Sequence, residues 1–589
     1  MTHGTRPFPA IVVGNRSRSL VVAFAALFVS AVSCSLPVQA QDTQPSGGSA
    51  GWRGVVVNVV TGEPVPRALV HSPDNQLAMF TDDQGRFEFR LPQAEASTSG
   101  SPAAGSNVHY QLALTARKPG FLENQSGTLF TAIGPSTDDI TIGLTPEALI
   151  VGRVNLPASN QWDRIAVEVY KRQVEEGRAH WTSLATARVR SNGEFRLANL
   201  GAGEYKLFTG ELLDRDPLTF NPRGQLYGYP PIYYPSAADF SSGAAIHLEA
   251  GKTFQAELAP VLQPYYPVKI AITGTQETEP VQASVALHGH RGPGYSLGYN
   301  GNSHAITGML PNGTYTVEAT LQGQENATGS VNITVKSAPV NNATIALLPH
   351  GSIPVNIRAD VDAPSRHTAS MGTQGKFSRE QNADVSLQPA EDFTLRRAAW
   401  LRPPREPDDN ALVLDNVGPG HYWVNIRPHW GYVASADAGG VDLLRHPLVV
   451  APGGSSLAIN VVLRDDFAKL DGSVEGPSPP ASNAGTSTGG GRVTSYSGTA
   501  APLPGLFVFC VPLPDSTGRF TETQAAPDGS FQVQQLPPGA YRILAFDRRQ
   551  ELEYENPEAM RAYEGKGPVI RLAPGQTEHV RVSLISSTE

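Results

Sequence analysis

Cysteine is nearly absent, with 2 in 589 residues, too few for the disulfide frameworks that hold small secreted folds together. Charged side chains are also sparse at 17%, against about a quarter in ordinary soluble domains. The formal net charge is −9, so there is no basic excess to neutralise a polyanion, and nucleic acid is not expected as a partner. Beyond residue 40 no apolar run reaches the roughly 18 residues of a membrane helix, so no transmembrane span is expected in the mature chain. None of the 14 histidines is followed by Glu three positions later, so the paired ligands of a zinc peptidase are missing. His288-Gly-His290 is the one close pair, and without a third ligand it reads as a polar turn. No metal and no cofactor are expected.

What is abundant is Gly (58) and Pro (49), a composition that suits many short strands joined by turns and suits long helices poorly. The length exceeds one hydrophobic core and fits roughly four or five small domains. Residues 1–40 read as a signal peptide. Arg6, Arg16 and Arg18 precede an apolar run from Leu20 to Val32, and Val38-Gln39-Ala40 supplies a small-x-small cleavage pattern. The alternative is a lipid tether at Cys34, after Ala31-Val32-Ser33. Either way the protein is expected to be exported, to the periplasm or cell surface, leaving Cys510 alone. That residue lies in Leu506-Phe507-Val508-Phe509-Cys510-Val511, apolar on both alternating faces, and is expected to be a buried, inert thiol.

One spacing recurs four times: an apolar residue, another at +5, Gly at +8 and Tyr at +10. The copies are Phe195/Leu200/Gly203/Tyr205, Ala305/Leu310/Gly313/Tyr315, Leu412/Val417/Gly420/Tyr422 and Phe531/Leu536/Gly539/Tyr541. An altered copy runs from Gly85-Arg86-Phe87 across a Ser/Ala/Gly insert to Tyr110-Leu112-Leu114. Two period-two runs around a Gly turn predict a hairpin, with Gly adopting a backbone conformation that other residues resist. A second element, Ile246–Thr253, Leu448–Ser455 and Ile570–Thr577, again pairs two alternating runs around Gly and predicts a closing hairpin. The predicted class is all-β: a tandem array of about five small Ig-like or prealbumin-like β-sandwiches. The expected domains are 52–147, 148–262, 263–348, 349–466 and 467–589, after a linker at 41–51. Residues 476–501, rich in Pro, Ser, Thr and Gly, are expected to be a disordered loop. Asn556 and Pro557 predict a short capped helix.

The first expected domain carries Gly54-Val55-Val56-Val57-Asn58-Val59-Val60-Thr61-Gly62-Glu63-Pro64-Val65, then Ala68-Leu69-Val70, then Thr81-Asp82-Asp83-Gln84-Gly85-Arg86-Phe87. This resembles the carboxypeptidase regulatory-like domain over about 40 residues. Tyr233-Tyr234-Pro235 and the stretch 554–567 resemble acidobacterial exported proteins that carry such domains in tandem. The resemblance implies a seven-stranded prealbumin-like sandwich and export. It implies no established activity, and the wider fold group includes carbohydrate-binding sandwiches.

Three stretches match Gly-x-Ser-x-Gly, around Ser49, Ser296 and Ser487. A nucleophile elbow needs a strand before the Ser and a helix after it, and none of the three predicts that context. Ala250-Gly251-Lys252-Thr253 resembles the end of a phosphate loop but lacks its first Gly. Lys269 with Asn332 or Asn342 has the residue types of an isopeptide crosslink, though a plain surface lysine is the simpler reading. The remaining candidate is the aromatic loop Tyr227, Tyr229, Tyr233 and Tyr234, set among Pro230, Pro231 and Pro235. Flat rings on a stiffened loop suit sugar stacking, and they equally suit a loop folded back over the sandwich. The expectation is a non-enzymatic binding or spacer protein of the cell envelope, with polysaccharide or another envelope protein as candidate partner. Its rivals are a structural stalk without ligand and an accessory subunit of envelope peptide processing.

Overall fold

The computed structural model describes residues 51–72, 76–90, 114–122, 140–156, 164–213, 224–274, 280–287, 290–291, 294–321, 326–360, 382–390, 399–403, 405, 409, 411–454, 456–476, 506–514, 516–526 and 528–586. Their regular secondary structure is almost entirely β-strand. Their buried apolar side chains gather in five large clusters that follow one another along the sequence, spanning 52–144, 148–258, 268–347, 353–463 and 468–582. The first four clusters lie between two sheets, as sandwich packing requires, and the fifth is enclosed by the strands of one connected seven-stranded sheet.

All five units open in the same way. The first strand pairs antiparallel with the Gly-x-Phe strand or its equivalent, and parallel with the last strand of the unit. In the first unit Gly51–Asn58 lies between Arg86–Arg90 and Ile140–Leu144. In the second Ala148–Val154 lies between Glu194–Leu200 and Thr253–Leu258. The strands opening at Gln263, Gly351 and Ala468 repeat this arrangement. The turn that feeds it also recurs. The Asp82 carboxylate accepts the Gln84 and Arg86 amides, Asn192 accepts Glu194, and Asp528 accepts Ser530. Such side-chain turns are why Asp or Asn stands shortly before Gly in these three copies. In the first unit Thr81 Oγ1 is buried, accepting from the Ala68 amide and donating to the Val65 carbonyl.

The tyrosine repeat is not a hairpin. Glu194–Leu200 pairs with the opening strand of one sheet, while Gly203–Thr209 pairs with Ala166–Glu175 in the facing sheet. The same division separates Ala305–Pro311 from Gly313–Leu321 and Val413–Val417 from Gly420–Pro428, whereas in the fifth unit Ser530–Leu536 and Gly539–Phe546 do not pair with each other but belong to one seven-stranded sheet, connected through Thr577–Ile585. The turn is therefore an arch between strands that do not pair with each other, and in the second to fourth units it carries the chain from one sheet to the other. Both runs still bury alternate residues toward the core, so their period is that of a hairpin. Each Tyr is buried, and its hydroxyl donates to a carbonyl four residues earlier: Tyr205 to Gly201 (2.7 Å), Tyr315 to Pro311 (3.0 Å), Tyr422 to Gly418 (2.9 Å) and Tyr541 to Pro537 (2.5 Å). The tyrosine thus fills the core and satisfies a carbonyl of its own arch, in the manner of the tyrosine corner of Ig-type sandwiches.

The repeated Gly serves two needs. Gly203 and Gly420 have φ of +148° and +151°, where a side chain is strained. Gly313 and Gly539 are needed for space, because a Cβ would lie 2.8 Å from the Tyr315 hydroxyl and 2.5 Å from Ser516 Oγ. The predicted closing hairpins are also sheet-to-sheet passages. Ile246–Leu248 pairs with the Tyr205 strand, whereas Thr253–Leu258 pairs with Ala148–Val154 on the other side.

Two units bury both faces of the arch sheet. In the second, Tyr205 and Leu207 point to the main core while Phe208 joins Tyr170, Tyr233 and Phe240 on the outer face. In the fifth, Val508 and Cys510 point inward while Phe509 and Val511 pack outward with Leu544, Phe546 and Leu552. Loop 232–243 and segment 552–563 supply the covers. The latter holds the short helix Pro557–Met560, capped by the Asn556 side chain, which accepts from Glu558 and Ala559.

Candidate functional site

The four tyrosines of the aromatic loop do not form one exposed platform. Tyr229 lies in the main core of the second unit, 2% exposed, on the strand Leu226–Tyr229. Tyr233 is 3% exposed and packs against Phe208 and Phe240 at ring separations of 5.0 and 5.5 Å. Burial pushes its hydroxyl pKa well above the ordinary value, and the Asp239 charge adds to this. Tyr234 is half-buried, edge-on to Phe254. Tyr227 is the exposed member, at 46%. The loop is fastened by Lys206, whose ammonium donates to the Phe240 carbonyl (2.7 Å) and sits 4.5 Å from the Phe240 ring. The prolines and rings therefore close the outer face of the sheet, because Phe208 and Tyr170 would otherwise be left in water.

The Leu226–Tyr229 strand also ties two units together. It pairs with Gln263–Thr273, the opening strand of the third unit, so a loop of the second unit becomes an edge of the next sheet.

The chemical candidates take structural places. Ser296 precedes the strand Leu297–Asn300, and its amide donates to Glu211. A strand stands where an elbow needs a helix. Gly251 and Lys252 form the passage between two strands, with Gly251 at φ +76°. Lys269, Asn332 and Asn342 are all exposed, without the dry surroundings that favour amide condensation. Cys510 is fully buried, and burial pushes its thiol up to about 12. Among the described residues no group of three or more His, Cys, Asp or Glu could hold a metal. None of their helices is long and apolar enough to cross a membrane. Residues 1–40 with Cys34, Ser49, Ser487, His288, Tyr110 and the stretch 477–501 lie outside the described residues.

The structure adds a site that the repeat does not signal. Ala166–Glu175 and Arg178–Arg188 form a hairpin turned by Glu176 and Gly177, at φ +49° and +77°. Ten residues of strand reach about 33 Å, and the tip contacts the fourth and fifth units. The two terminal guanidinium nitrogens of Arg172 donate to the Glu553 carboxylate, Nη2 at 2.7 Å. The Arg178 guanidinium lies 3.7 Å from the centre of the Trp423 ring and 3.4 Å from Glu555. The Glu555 amide donates to the Gly177 carbonyl, and Gln388 of the fourth unit reaches Glu175. Tyr554 stacks flat on Phe520 at 4.4 Å, directly against Gly177. Hydrogen bonds from Arg172 hold Glu553 below the usual carboxylate range, against its partial burial. Glu555 is pushed up by burial, against the pull of Arg178 and Arg445.

Where the three units meet there is a cavity of about 390 Å³. Its wall includes Trp423, Asn425, Asp437, Asp442, Arg445 and Arg519. Arg445 pairs with Asp442 (3.5 Å) and reaches the Ser516 carbonyl, and Arg519 reaches the Ile426 carbonyl. The one local sign in the sequence is Glu176-Gly177, a two-residue turn between two long alternating runs. Nothing in those runs says what the tip touches.

No protein-family model matches the sequence, and no curated protein sequence matches it. Among solved structures the chain is similar to the Bacillus anthracis TIE protein, at 8% identity and TM-score 0.13 over 75% of this chain and 74% of that one. It is similar to the Streptococcal ancillary pilin at 11% identity and TM-score 0.17, over 54% of this chain and 99% of that one. It is also similar to the major pilin subunit of Bacillus cereus at 10% identity and TM-score 0.14, over 54% and 99%. TM-scores of this size transfer nothing to this chain, whose fold is read from its own strand pairing.

Proposed function

We propose that the chain is a non-catalytic, exported β-sandwich protein that acts as a binding and spacing module of the cell envelope, with polysaccharide as its ligand class. The observation that carries this reading is the way the units are joined. A shared sheet links the second and third units, and side chains of the second are clasped on the fourth and fifth. Such joints hold several small cores as one scaffold and leave surface crevices between them, which is where binding sites tend to form. The residues whose letters suggest chemistry, Ser296 and Cys510, are spent on a strand entrance and a core. The motif-level resemblance of the first unit to the carboxypeptidase regulatory-like domain fits the same role. Export rests on residues 1–40, and intact-mass analysis of native envelope protein should find the N-terminus at Gln41 or at lipidated Cys34. Retained Met1 on the bulk of the protein would remove the envelope from the proposal.

Binding is tested by retention of the mature protein on insoluble cellulose, chitin, xylan and peptidoglycan. Retention on at least one is expected, with Tyr227→Ala reporting whether the one exposed ring of the loop contributes. Failure on all four would move the function to a spacer without ligand, a role that the extensive unit–unit contacts also suit.

A further inference from the structure

We propose that the cavity between the second, fourth and fifth units is a binding site for a neutral, hydroxyl-rich chain, an oligosaccharide segment, and that the Ala166–Arg188 hairpin assembles it. The proposal rests on the polysaccharide reading above and gives it a place. The lining settles the chemistry by its charge balance. Arg178, Arg445 and Arg519 face Glu176, Asp437, Asp442 and Glu555. Arg178 already engages Glu555, and Arg445 engages Asp442. A phosphate-rich or polycationic ligand would meet like charge on one side and would have to break these pairs. A neutral polyol meets neither penalty. Its hydroxyls both donate and accept, which matches a wall whose residues carry carboxylates, guanidinium groups and the Asn425 amide. The Trp423 indole, one face of which is covered by the Arg178 guanidinium, adds an apolar group to the lining.

No one unit owns the site. Trp423, Asp437 and Asp442 belong to the fourth unit, Arg519 and Thr517 to the fifth, and Glu176 and Arg178 to the hairpin of the second. The clasp that brings them together, Arg172 on Glu553, is outside the lining. Occupancy of the site and closure of the clasp should therefore reinforce each other, since a ligand bound to all three units binds only the closed arrangement.

The test is calorimetric titration of the mature protein with cellohexaose, xylohexaose, chitohexaose and maltohexaose, with N-acetyl-tetraglycine amide as a neutral peptide control. At least one hexasaccharide should bind, and Asp442→Ala and Arg519→Ala should each weaken it by about tenfold or more. Arg172→Glu should weaken it as much and enlarge the radius of gyration in solution scattering. The exchanged pair Arg172→Glu/Glu553→Arg should restore both. Binding that ignores all these variants but falls in Tyr227→Ala would overturn the cavity as the site and leave the polysaccharide reading standing. Binding of the peptide in place of every hexasaccharide would overturn the ligand class. No binding of any probe, together with no retention on insoluble glycans, would remove both proposals.

Discussion

The tyrosine arches and the Ala166–Arg188 hairpin are built from the same ingredients, two period-two runs joined by a Gly-containing turn, yet they act at different levels of the molecule. An arch splits its runs between facing sheets and directs everything inward, with Tyr in the core and its hydroxyl on its own turn. The hairpin keeps its runs paired with each other along their length and carries polar residues outward, to partners nearly 400 positions away in sequence. The arch recurs because each sandwich must solve the same closure. Among the described residues the hairpin tip has no counterpart in the other units, and it joins three sandwiches. Repetition marks what makes a unit, and the deviations mark what makes the assembly.

That contrast can be broken most sharply at Tyr541. Tyr541→Ala should cost the fifth unit about 3–5 kcal/mol, the range for deleting a buried aromatic side chain. It should also loosen the clasp, because Glu553 stands on that unit, and unfolding followed by tryptophan fluorescence and hydrogen exchange would show both. If the other units lost no protection, the hairpin contacts would be too weak to couple them. A smaller loss, about 1–3 kcal/mol, is expected for Tyr205→Phe, which keeps the ring but leaves the Gly201 carbonyl without its donor. The same substitution at Tyr315 should behave alike, since the geometry is repeated.

The clasp itself should contribute about as much as one charge-assisted pair. Arg172→Ala and Glu553→Ala should each cost on the order of 1–3 kcal/mol in the coupling of the units, and the double variant should cost little more than either. Additive losses would show that the two side chains do not act as a pair. The pair also predicts a pH window. Glu553 has a folded pKa below its unfolded value, so its stabilisation is complete above the ordinary carboxylate pKa and disappears as pH falls through the depressed one. Melts of wild type and Arg172→Gln should differ at neutral pH and converge in acid. A difference that persisted unchanged below the folded pKa of Glu553 would count against the ion pair. The smallest effect is expected at Tyr227, whose exposed ring should tolerate Tyr227→Ala within about 0.5 kcal/mol.

Much of each unit is legible in the sequence. The apolar/+5/Gly/Tyr spacing located four buried tyrosines, and the double-faced run around Cys510 announced a strand covered on both sides, which it is. Asn556 and Pro557 marked the short helix Pro557–Met560. The aromatic loop was legible only as two possibilities, a stacking surface or a cover. Period and composition are the same for both, and packing against Phe208 and Phe240 decides for the cover at Tyr233.

What the sequence determined by itself is the all-β class, the recurring core positions and the acidic net charge. These follow from local periodicity and composition, which need no knowledge of neighbours. Only the tertiary structure decided that the repeats are arches, that one loop lends a strand to the next sheet, and that a hairpin clasps three units around a cavity. Side-chain alternation records which face of a strand is buried. It does not record which strand receives the backbone hydrogen bonds, nor which distant surface meets an exposed charge, because those partners are chosen by the whole chain at once.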